Sequence, residues 1–326
     1  MMLGPGVRRV FLTGGAGFIG SHIVDKLLAD GYAVTAYDNL SNGRREFVAG
    51  HVGKPAFRFI EADCLDLERL RGEMAGHDLV WHMAANTDII GSHTQPDRDL
   101  KDCVVATFNV CEAMRRNDIR PILLASSGAV YGELCLDEHV SETAGPLAPM
   151  STYAAGKIGS EAFVSCYCHL YDLRGWLFRF GNVLGSRVTH GVIYDFVRKL
   201  RSNPHELAIL GDGRQEKNYF LTEDCIEGMA WAFVNVPLGG DKPCDVFNLG
   251  TTTVTRVTDI AAIVIEEMGL RNVEVTIQGV KRAWLGDQPR VHLTVDKLRR
   301  LGWYCRRSSD EAVRIAVRRV LGKEEG

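Results

Sequence analysis

The sequence predicts an α/β fold built on a parallel sheet, because short apolar runs alternate with amphipathic helices from the N-terminus onward. The most informative junction is the glycine-rich stretch TGGAGFIG, residues 13–20, which joins a buried strand ending at Leu12 to a helix. Ile19, Ile23 and Leu27 recur every fourth residue on that helix. At 326 residues and 46% hydrophobic, the chain can bury a large core and form one large and one smaller domain.

The glycine-rich turn is typical of a site for a pyrophosphate. A turn of this kind reverses the chain tightly, lets backbone N–H groups approach phosphate oxygens, and directs a helix N-terminus at negative charge. Its glycines are spaced G-x-x-G-x-x-G, which is tighter than the usual dinucleotide fingerprint. The predicted contacts to the bound nucleotide are Gly14, Gly17, Phe18, Ile19 and Gly20.

An acidic residue ends the second predicted strand. Ala33–Tyr37 forms that strand, and Asp38 follows it directly. A carboxylate at this position can accept hydrogen bonds from the adenosine ribose hydroxyls, and its charge repels a 2′-phosphate. The sequence therefore predicts NAD rather than NADP as the cofactor, with Asn39 and Leu40 adjoining it.

Two further strands, at residues 57–60 and 78–82, continue the alternation of strands and helices. Asp63 follows the first of them and is placed to meet an adenine amino group, and we interpret His82, at the end of the second, as structural. Small residues after His82 allow the backbone to pass close to a cofactor. The additional predicted cofactor contacts are Cys64, Met83, Ala84 and Ala85.

A strand at residues 121–125 ends in two serines, and a tyrosine and a lysine follow on the next helix. Tyr153 and Lys157 are four residues apart, so they share one helix face, as required if an ammonium is to lower the pKa of a phenol. A free tyrosine titrates near ~10, which is too high for an efficient base at neutral pH. The hydroxyl of Ser127 can bind the same substrate oxygen, so the candidate catalytic set is Ser127, Tyr153 and Lys157.

Four segments in this order, TGGAGFIG, YDNL, SSGAVYG and YAAGK, resemble the extended short-chain dehydrogenase/reductases. The resemblance is greatest to the nucleotide-sugar epimerases typified by UDP-glucose 4-epimerase, and it extends from about Arg9 to Trp303. It implies a doubly wound Rossmann domain of about seven parallel strands and a smaller, discontinuous C-terminal α/β domain for the substrate. The expected NAD-binding domain is 1–181 plus about 244–265, and the expected nucleotide-sugar-binding domain is about 182–243 plus 266–326.

The resemblance also implies roles for individual residues. Tyr153 would be the base or acid on a sugar hydroxyl, Lys157 would tune it and hold the nicotinamide ribose, and Ser127 would bind the reacting oxygen. Phe180 would adjoin the cofactor. Trp284 replaces an arginine of the family, and the sequence leaves open which of two arginines takes over that role. The implied substrate contacts are Thr87, Ser127, Asn182, Lys217, Tyr219, Arg282 and Arg290.

This chain departs from the family pattern at positions that distinguish between the candidate reactions. Family dehydratases carry an acid pair where this chain has Gly128 and Ala129, so elimination of water lacks its general acid and base. Asp38 disfavours a reductase that consumes NADPH. We therefore expect an epimerase that inverts C4 of a UDP-hexose by transient oxidation to a 4-keto intermediate. A 4-reductase, a decarboxylase, a 4,6-dehydratase and a non-catalytic NAD-binding protein are the alternatives.

Composition and the family resemblance limit which partners the protein is expected to have. The formal charge of −3 gives no bulk attraction for nucleic acid or anionic membranes, and residues 1–9 lack the apolar core of a signal peptide, so we expect a cytoplasmic protein. The spacing of the nine cysteines fits no zinc site, and no metal is expected. The resemblance implies a homodimer formed by helices at 96–116 and 151–171, with Cys103, Phe163 and Tyr167 facing the partner. Cys103 stands where many family members carry asparagine.

Overall fold

A computed structural model describes residues 2–89, 91–136, 139–188, 190–280 and 288–324. The strands are β1 (Arg9–Thr13), β2 (Ala33–Asp38), β3 (Phe57–Glu61), β4 (Leu79–His82), β5 (Pro121–Ser127), β6 (Arg174–Phe180), β7 (Asn182–Leu184), β8 (Glu206–Ile209), β9 (Glu216–Lys217), β10 (Tyr219–Leu221), β11 (Cys244–Leu249), β12 (Thr255–Arg256), β13 (Glu274–Ile277) and β14 (Arg290–Val291). The helices are α1 (Phe18–Ala29), α2 (Leu67–Met74), α3 (Pro96–Asp99), α4 (Ala106–Arg116), α5 (Thr152–Tyr171), α6 (Val192–Ser202), α7 (Thr222–Asn235), α8 (Val257–Glu267), α9 (Asp296–Leu301) and α10 (Ser309–Val320).

The central sheet has seven strands in the order β3-β2-β1-β4-β5-β6-β11. The strand pairs β3–β2, β2–β1, β1–β4 and β4–β5 are parallel. The strand order reverses between β1 and β4, where Thr13 is the register partner of His82. In open parallel sheets a ligand binds outside the carboxyl ends of the strands at this reversal. The predicted doubly wound α/β sheet is confirmed.

The chain divides into two compact units. The first contains residues 1–130, 151–179 and 226–247, and the second contains 131–150, 180–225 and 248–326. The division differs from the expected one at residues 226–243, because Trp176 donates to the carbonyl of Val236 at 3.0 Å and its ring packs on Phe233. It also differs at 131–150 and 248–265, where the hydroxyl of Tyr131 donates to Asn248 at 2.7 Å.

A hydrophobic core underlies one face of the first unit's sheet. Phe11 of β1, Leu70 of α2, Val110 of α4 and Val164 of α5 are fully buried members of it. α4 and α5 pack on each other and on the sheet, which is why the residues of α5 meet the carboxyl end of β5. This core therefore positions the helix that carries Tyr153 and Lys157.

The second unit contains short paired strands and its own core. β7 pairs with β10, β8 pairs with β13, and β9 lies between β12 and β14. Apolar residues of α6, α8 and α10 form the core. The short strands bring together residues that are far apart in the sequence, including two of the expected substrate contacts.

None of the helices in the described part of the chain is long and apolar enough to cross a membrane. The nine cysteines are free thiols, and most of them are buried. Burial raises the pKa of the Cys64, Cys111 and Cys225 thiols, so these side chains behave as small apolar groups.

Candidate active site

The turn after β1 accepts only glycine at two of its positions. Gly14 has a φ of +69°, and a Cβ atom there would lie 2.8 Å from the backbone nitrogen of Ala84. A Cβ atom on Gly20 would lie 2.0 Å from the carbonyl oxygen of Gly14. The absence of a Cβ atom on Gly14 thus allows the backbone of residues 83–84 to pass against the turn, as a nucleotide site at this edge requires.

Helix α1 begins at Phe18 without a side-chain cap. Its N-cap residue is Gly17, whose N–H donates to the carbonyl of Gly14 at 3.1 Å. The N–H groups of the first turn, from Phe18, Ile19 and Gly20, have no intrahelical acceptor and carry the positive end of the helix dipole. This arrangement fits a diphosphate, and the contacts of these residues to the cofactor's phosphates stay a prediction.

Asp38 is buried at the carboxyl end of β2. Its Oδ2 atom accepts the N–H of Ala16 at 2.9 Å, and its Oδ1 atom accepts the N–H of Leu40 at 2.8 Å. Burial raises the pKa of Asp38, and these two hydrogen bonds oppose that rise. Each carboxylate oxygen keeps a second lone pair, so the side chain can hold the glycine turn and still accept from ribose hydroxyls.

Asp63 and Asn39 contact each other. The Nδ2 group of Asn39 donates to Asp63 Oδ2 at 2.9 Å, and the N–H of Leu65 donates to Asp63 Oδ1 at 2.8 Å. The hydroxyl of Tyr37 donates to the backbone carbonyl of Asp63 at 3.0 Å. These bonds fix the loop after β3, and the adenine contact of Asp63 stays a prediction.

The candidate catalytic residues meet at the carboxyl end of β5. The hydroxyl of Tyr153 is hydrogen-bonded to the Ser127 side chain, whose Oγ atom also accepts the N–H of Ala129 at 3.1 Å. The Nζ atom of Lys157 donates to the carbonyl oxygen of Ala125 at 2.7 Å and lies 5.9 Å from the centre of the Tyr153 ring. The structure therefore brings all three predicted residues together.

The pKa of Tyr153 moves in the direction opposite to the one expected from its spacing to Lys157. Burial raises the pKa of the phenol, and the hydrogen bond from Ser127 lowers it by less. Burial also lowers the pKa of Lys157. The lysine points its ammonium at the Ala125 carbonyl rather than at the phenol oxygen, so desolvation dominates and the phenol is protonated at neutral pH.

A π-helical turn at Leu100–Val105 connects α3 to α4 behind this site, within the helix predicted at 96–116. Cys103 lies in that turn and is buried, and a Cβ atom on Gly156 would come within 3.0 Å of its Cβ. The expectation that Cys103 and Tyr167 face a partner subunit is wrong for these side chains, since both are buried against α5 and α4. Phe163 remains 37% exposed.

Four of the expected substrate contacts lie in the second unit on adjacent strands. Asn182 of β7 is the register partner of Tyr219 of β10, and on β9 and β14 Arg290 is the register partner of Glu216 and Val291 that of Lys217. Arg290 approaches Glu216 at 3.6 Å. Tyr219 is only 7% exposed and belongs to the hydrophobic core, so its side chain supports the strand rather than facing solvent.

The other expected contacts are less informative. Thr87 is exposed in the loop after β4, and Phe180 is half-buried at the end of β6. Arg282 and Trp284 lie outside the described residues. Of the two arginines only Arg290 is among the described residues, where its register partner on β9 is Glu216, so the choice between Arg282 and Arg290 stays open.

Residues 10–250 match the family model described as the NAD dependent epimerase/dehydratase family. The chain belongs to this family. The predicted resemblance is confirmed, and the expected cofactor is the one in the family's name. Within the family, Ser127, Tyr153 and Lys157 at the sheet reversal form the candidate site for chemistry on a nucleotide sugar.

Similar proteins support the assignment to this epimerase/dehydratase family. A putative UDP-glucose 4-epimerase of Methanocaldococcus jannaschii is 32% identical over 305 residues, which cover 90% of this chain and 92% of that protein. A crystal structure of a UDP-galactose 4-epimerase is 38% identical, with a TM-score of 0.82 over 97% of this chain and 99% of that chain. The Thermus thermophilus UDP-glucose 4-epimerase, solved with NAD, is 32% identical with a TM-score of 0.83 over 96% and 99% of the two chains.

The sequence analysis missed one side chain on the same helix face. Glu161 follows Lys157 by four residues, and it contacts Ser126 of β5 and Arg179 of β6. The four-residue spacing of Tyr153, Lys157 and Glu161 was a visible signal.

Proposed function

We propose that this protein is an NAD-dependent nucleotide-sugar epimerase that inverts C4 of a UDP-hexose through a 4-keto intermediate. The observation that carries the proposal is the contact of Tyr153 with Ser127, with Lys157 one helical turn further along α5. This contact lies at the carboxyl end of β5, which neighbours β4 in the sheet. The strand order reverses between β4 and β1, and the glycine turn that fits a diphosphate follows β1.

The residues that would hold NAD are those of the glycine turn, Asp38 and Lys157. Gly14 and Gly20 let the turn fold closely on itself and against residues 83–84, and the buried carboxylate of Asp38 would accept from the adenosine ribose. When bound, NAD supplies reversible hydride transfer at a sugar carbon. The buried charge of Asp38 would disfavour a 2′-phosphate, which supports NAD over NADP.

Tyr153 would exchange the proton of the sugar's 4-hydroxyl. Its hydroxyl and the Oγ atom of Ser127 would both contact that oxygen, so that Ser127 orients the substrate while Tyr153 accepts and later returns the proton. Because burial raises the pKa of Tyr153, the phenolate requires a nearby cation. Lys157 is the proposed cation, although in this structure its ammonium donates to the Ala125 carbonyl and lies 5.9 Å from the centre of the Tyr153 ring.

Dehydration is disfavoured by the turn after β5. Residues 128–131 form a short 3₁₀ turn, and the positions next to Ser127 are Gly128 and Ala129. Neither side chain can protonate a leaving hydroxyl or remove a proton from carbon. Epimerisation needs a single proton acceptor on the 4-hydroxyl, which Tyr153 provides.

A cationic side chain on β9 or β14, either Lys217 or Arg290, is the proposed contact for the substrate's diphosphate. Lys217 and Arg290 lie on adjacent strands, and Asn182 is on the neighbouring pair of strands. By the resemblance, Lys217 stands where the family carries a phosphate-binding arginine, and the change exchanges a bidentate fork for a point charge. The similar proteins are named for UDP-glucose and UDP-galactose, which favours a UDP-hexose as the substrate.

We also propose a homodimer formed through α4 and α5. Phe108 and Phe163 are 36% and 37% exposed, and their rings pack edge to face at 5.7 Å. Leu170 and Tyr171 extend this apolar surface along α5. An exposed apolar stripe on two adjacent helices is suited to a twofold interface between copies of the chain.

The function is tested by incubating the purified protein with UDP-, GDP-, CDP- and dTDP-hexoses without added reductant. We expect C4 epimers of a UDP-hexose and no net reduction. Tyr153→Phe should keep NAD binding and the thermal midpoint while turnover falls by about 10² to 10⁴. Loss of water from the sugar would show that the protein is a dehydratase and not an epimerase. Net consumption of NADPH would show that it is a reductase.

A further inference from the structure

Three side chains on one face of α5 dock on three consecutive residues of β5. Tyr153 contacts Ser127, Lys157 donates to the carbonyl of Ala125, and Glu161 accepts from the hydroxyl of Ser126. The helix residues are spaced four apart, so they lie in one row that follows the end of the strand. Two of the three are the proposed catalytic residues, and the third has no role so far.

Glu161 is fixed more firmly than either of its neighbours in the row. Arg179 of β6 donates from Nε to Glu161 Oε1 at 2.9 Å and from Nη2 to Oε2 at 2.6 Å. Both residues are buried, at 7% exposure for Glu161 and 5% for Arg179. A bidentate pair of this kind holds its carboxylate in a single orientation. Glu161 therefore connects α5, the end of β5 and β6.

We propose that Glu161 is a positioning residue of the reaction described above. It holds the end of β5 against the face of α5 that carries Tyr153 and Lys157, and it keeps a negative charge beside the ammonium of Lys157. The inference rests on the proposed function for the roles of Ser127, Tyr153 and Lys157. Its two parts are separable, because the contact to Ser126 acts on the position of Ser127 and the charge acts on Lys157.

The charge of Glu161 matters because Lys157 is desolvated. Burial lowers the pKa of Lys157, and Cys103, Glu161 and Asp99 oppose that change. The Cys103 thiol is itself neutral at neutral pH because burial raises its pKa. Removal of the Glu161 charge should therefore let Lys157 lose its proton at lower pH. The titratable and charged groups around this pair are Tyr153 on α5, Cys103 in the π-helical turn, Asp99 on α3, His82 on β4 and Arg179 on β6.

The first test compares Glu161→Gln with Glu112→Gln. Glu112 is a matched control because it is also buried in the first unit and accepts from Arg115 and Arg116 on α4. With the NAD-loaded enzyme and UDP-glucose, we expect Glu161→Gln to move the alkaline limb of the kcat profile about one pH unit lower, with KM unchanged. Glu112→Gln should lower the thermal midpoint and leave that limb in place.

A readout that does not depend on activity is the titration of Lys157 itself. The ¹³Cε resonance of Lys157, assigned by its absence in Lys157→Met, should titrate about one pH unit lower in Glu161→Gln than in the wild type. A wild-type protein that converts none of the nucleotide sugars would overturn the proposed function. The lysine titration would still decide whether Glu161 sets the charge of Lys157.

Ser126→Ala tests the positioning part separately, because it removes the hydroxyl and keeps the pair between Glu161 and Arg179. We expect kcat to fall about tenfold, from the loss of one buried hydrogen bond, with the lysine titration unchanged. Wild-type kcat in Ser126→Ala would overturn the positioning through β5. An unchanged alkaline limb and lysine titration in Glu161→Gln, with only a lower thermal midpoint, would overturn the charge role.

Discussion

The carboxylate of Asp38 accepts the backbone N–H of Ala16 at 2.9 Å, so the acid at the end of β2 is bonded directly to the glycine turn after β1. A Cβ atom on Gly43 would lie 2.8 Å from Asp38 Oδ1, which shows how closely the following loop encloses the carboxylate. The same side chain thus organises the turn that fits the diphosphate and carries the charge that would select the ribose.

Asp38→Asn should weaken NAD binding and reduce the preference against NADP. The amide keeps the size of the side chain, but its Nδ2 group cannot accept from Leu40 or Ala16. The loss of one buried hydrogen bond and of the negative charge predicts about a tenfold weaker affinity for NAD. Calorimetric titration of both dinucleotides measures the effect. Unchanged affinity for NAD and unchanged discrimination would show that Asp38 only braces the turn.

His82 should make the stability of the protein depend on pH. Ser160 donates to the carbonyl of Cys103 and accepts from Thr107, so Thr107 must accept from Nε2–H of His82. Nδ1 then accepts from the hydroxyl of Thr13 at 2.6 Å, and the ring is neutral. Burial, and to a smaller degree Lys157, lowers the pKa of His82 to about 3.

The unfolded chain binds a proton at this histidine below about pH 6.5, whereas the folded chain does so only near pH 3. The contribution of neutral His82 is therefore complete above pH 6.5 and is lost as the pH falls from 6.5 towards 3. Relative to His82→Gln, the wild type should lose about 2 kcal/mol of unfolding free energy between pH 6.5 and pH 5. Urea unfolding at several pH values measures this difference. Parallel curves for the two proteins would mean that His82 takes up its proton as readily in the folded chain as in the unfolded chain.

Gly20→Ala should destabilise the protein and abolish NAD binding. A Cβ atom would be 2.0 Å from the Gly14 carbonyl oxygen, so the turn has to move. We expect a loss of about 2 to 3 kcal/mol, as for an overpacked core. Gly72→Ala in α2 is the matched control, because nothing lies within 4 Å of its Cβ position. That variant should gain about 0.5 to 1 kcal/mol and bind NAD normally. Equal thermal midpoints for the two variants would refute the close packing of the turn.

Phe163→Asp should dissociate the proposed dimer. The side chain is 37% exposed and packs on Phe108, so a carboxylate there would be buried without a partner in a twofold interface. Light scattering coupled to gel filtration should give a monomer for this variant and a dimer for the wild type. Val52→Asp, at a residue that is 65% exposed in the first unit, should remain dimeric. A monomeric wild-type protein would show that α4 and α5 do not form a dimer interface.

The parts of the fold that depend on local pattern were predictable from the sequence. The carboxyl ends of β1, β2 and β5 followed, to within two residues, from apolar runs and turn residues, and the Tyr153–Lys157 face followed from helical spacing. The direction in which the pKa of Tyr153 is shifted was not predictable, because it depends on how tightly the rest of the first unit encloses the phenol. The burial of Cys103 and Tyr219 depends in the same way on which helix or strand packs against each side chain.

Contacts between distant segments were also beyond the sequence. Glu161 reads as an ordinary helical carboxylate until β6 brings Arg179 against it, 18 residues further along the chain. Arg290 meets Glu216, the residue before Lys217, only because β9 pairs with β14. Both relationships are consequences of strand order, which a periodicity argument does not supply.

The central claim is that C4 of the sugar is oxidised and reduced within one turnover, with Tyr153 exchanging only the hydroxyl proton. UDP-glucose deuterated at C4 tests this claim most directly when it is incubated with the NAD-loaded enzyme and the product is examined by mass spectrometry and NMR. The account predicts UDP-galactose that retains the deuterium at C4. UDP-galactose that carries a solvent hydrogen at C4, or a product that has lost water, would contradict it.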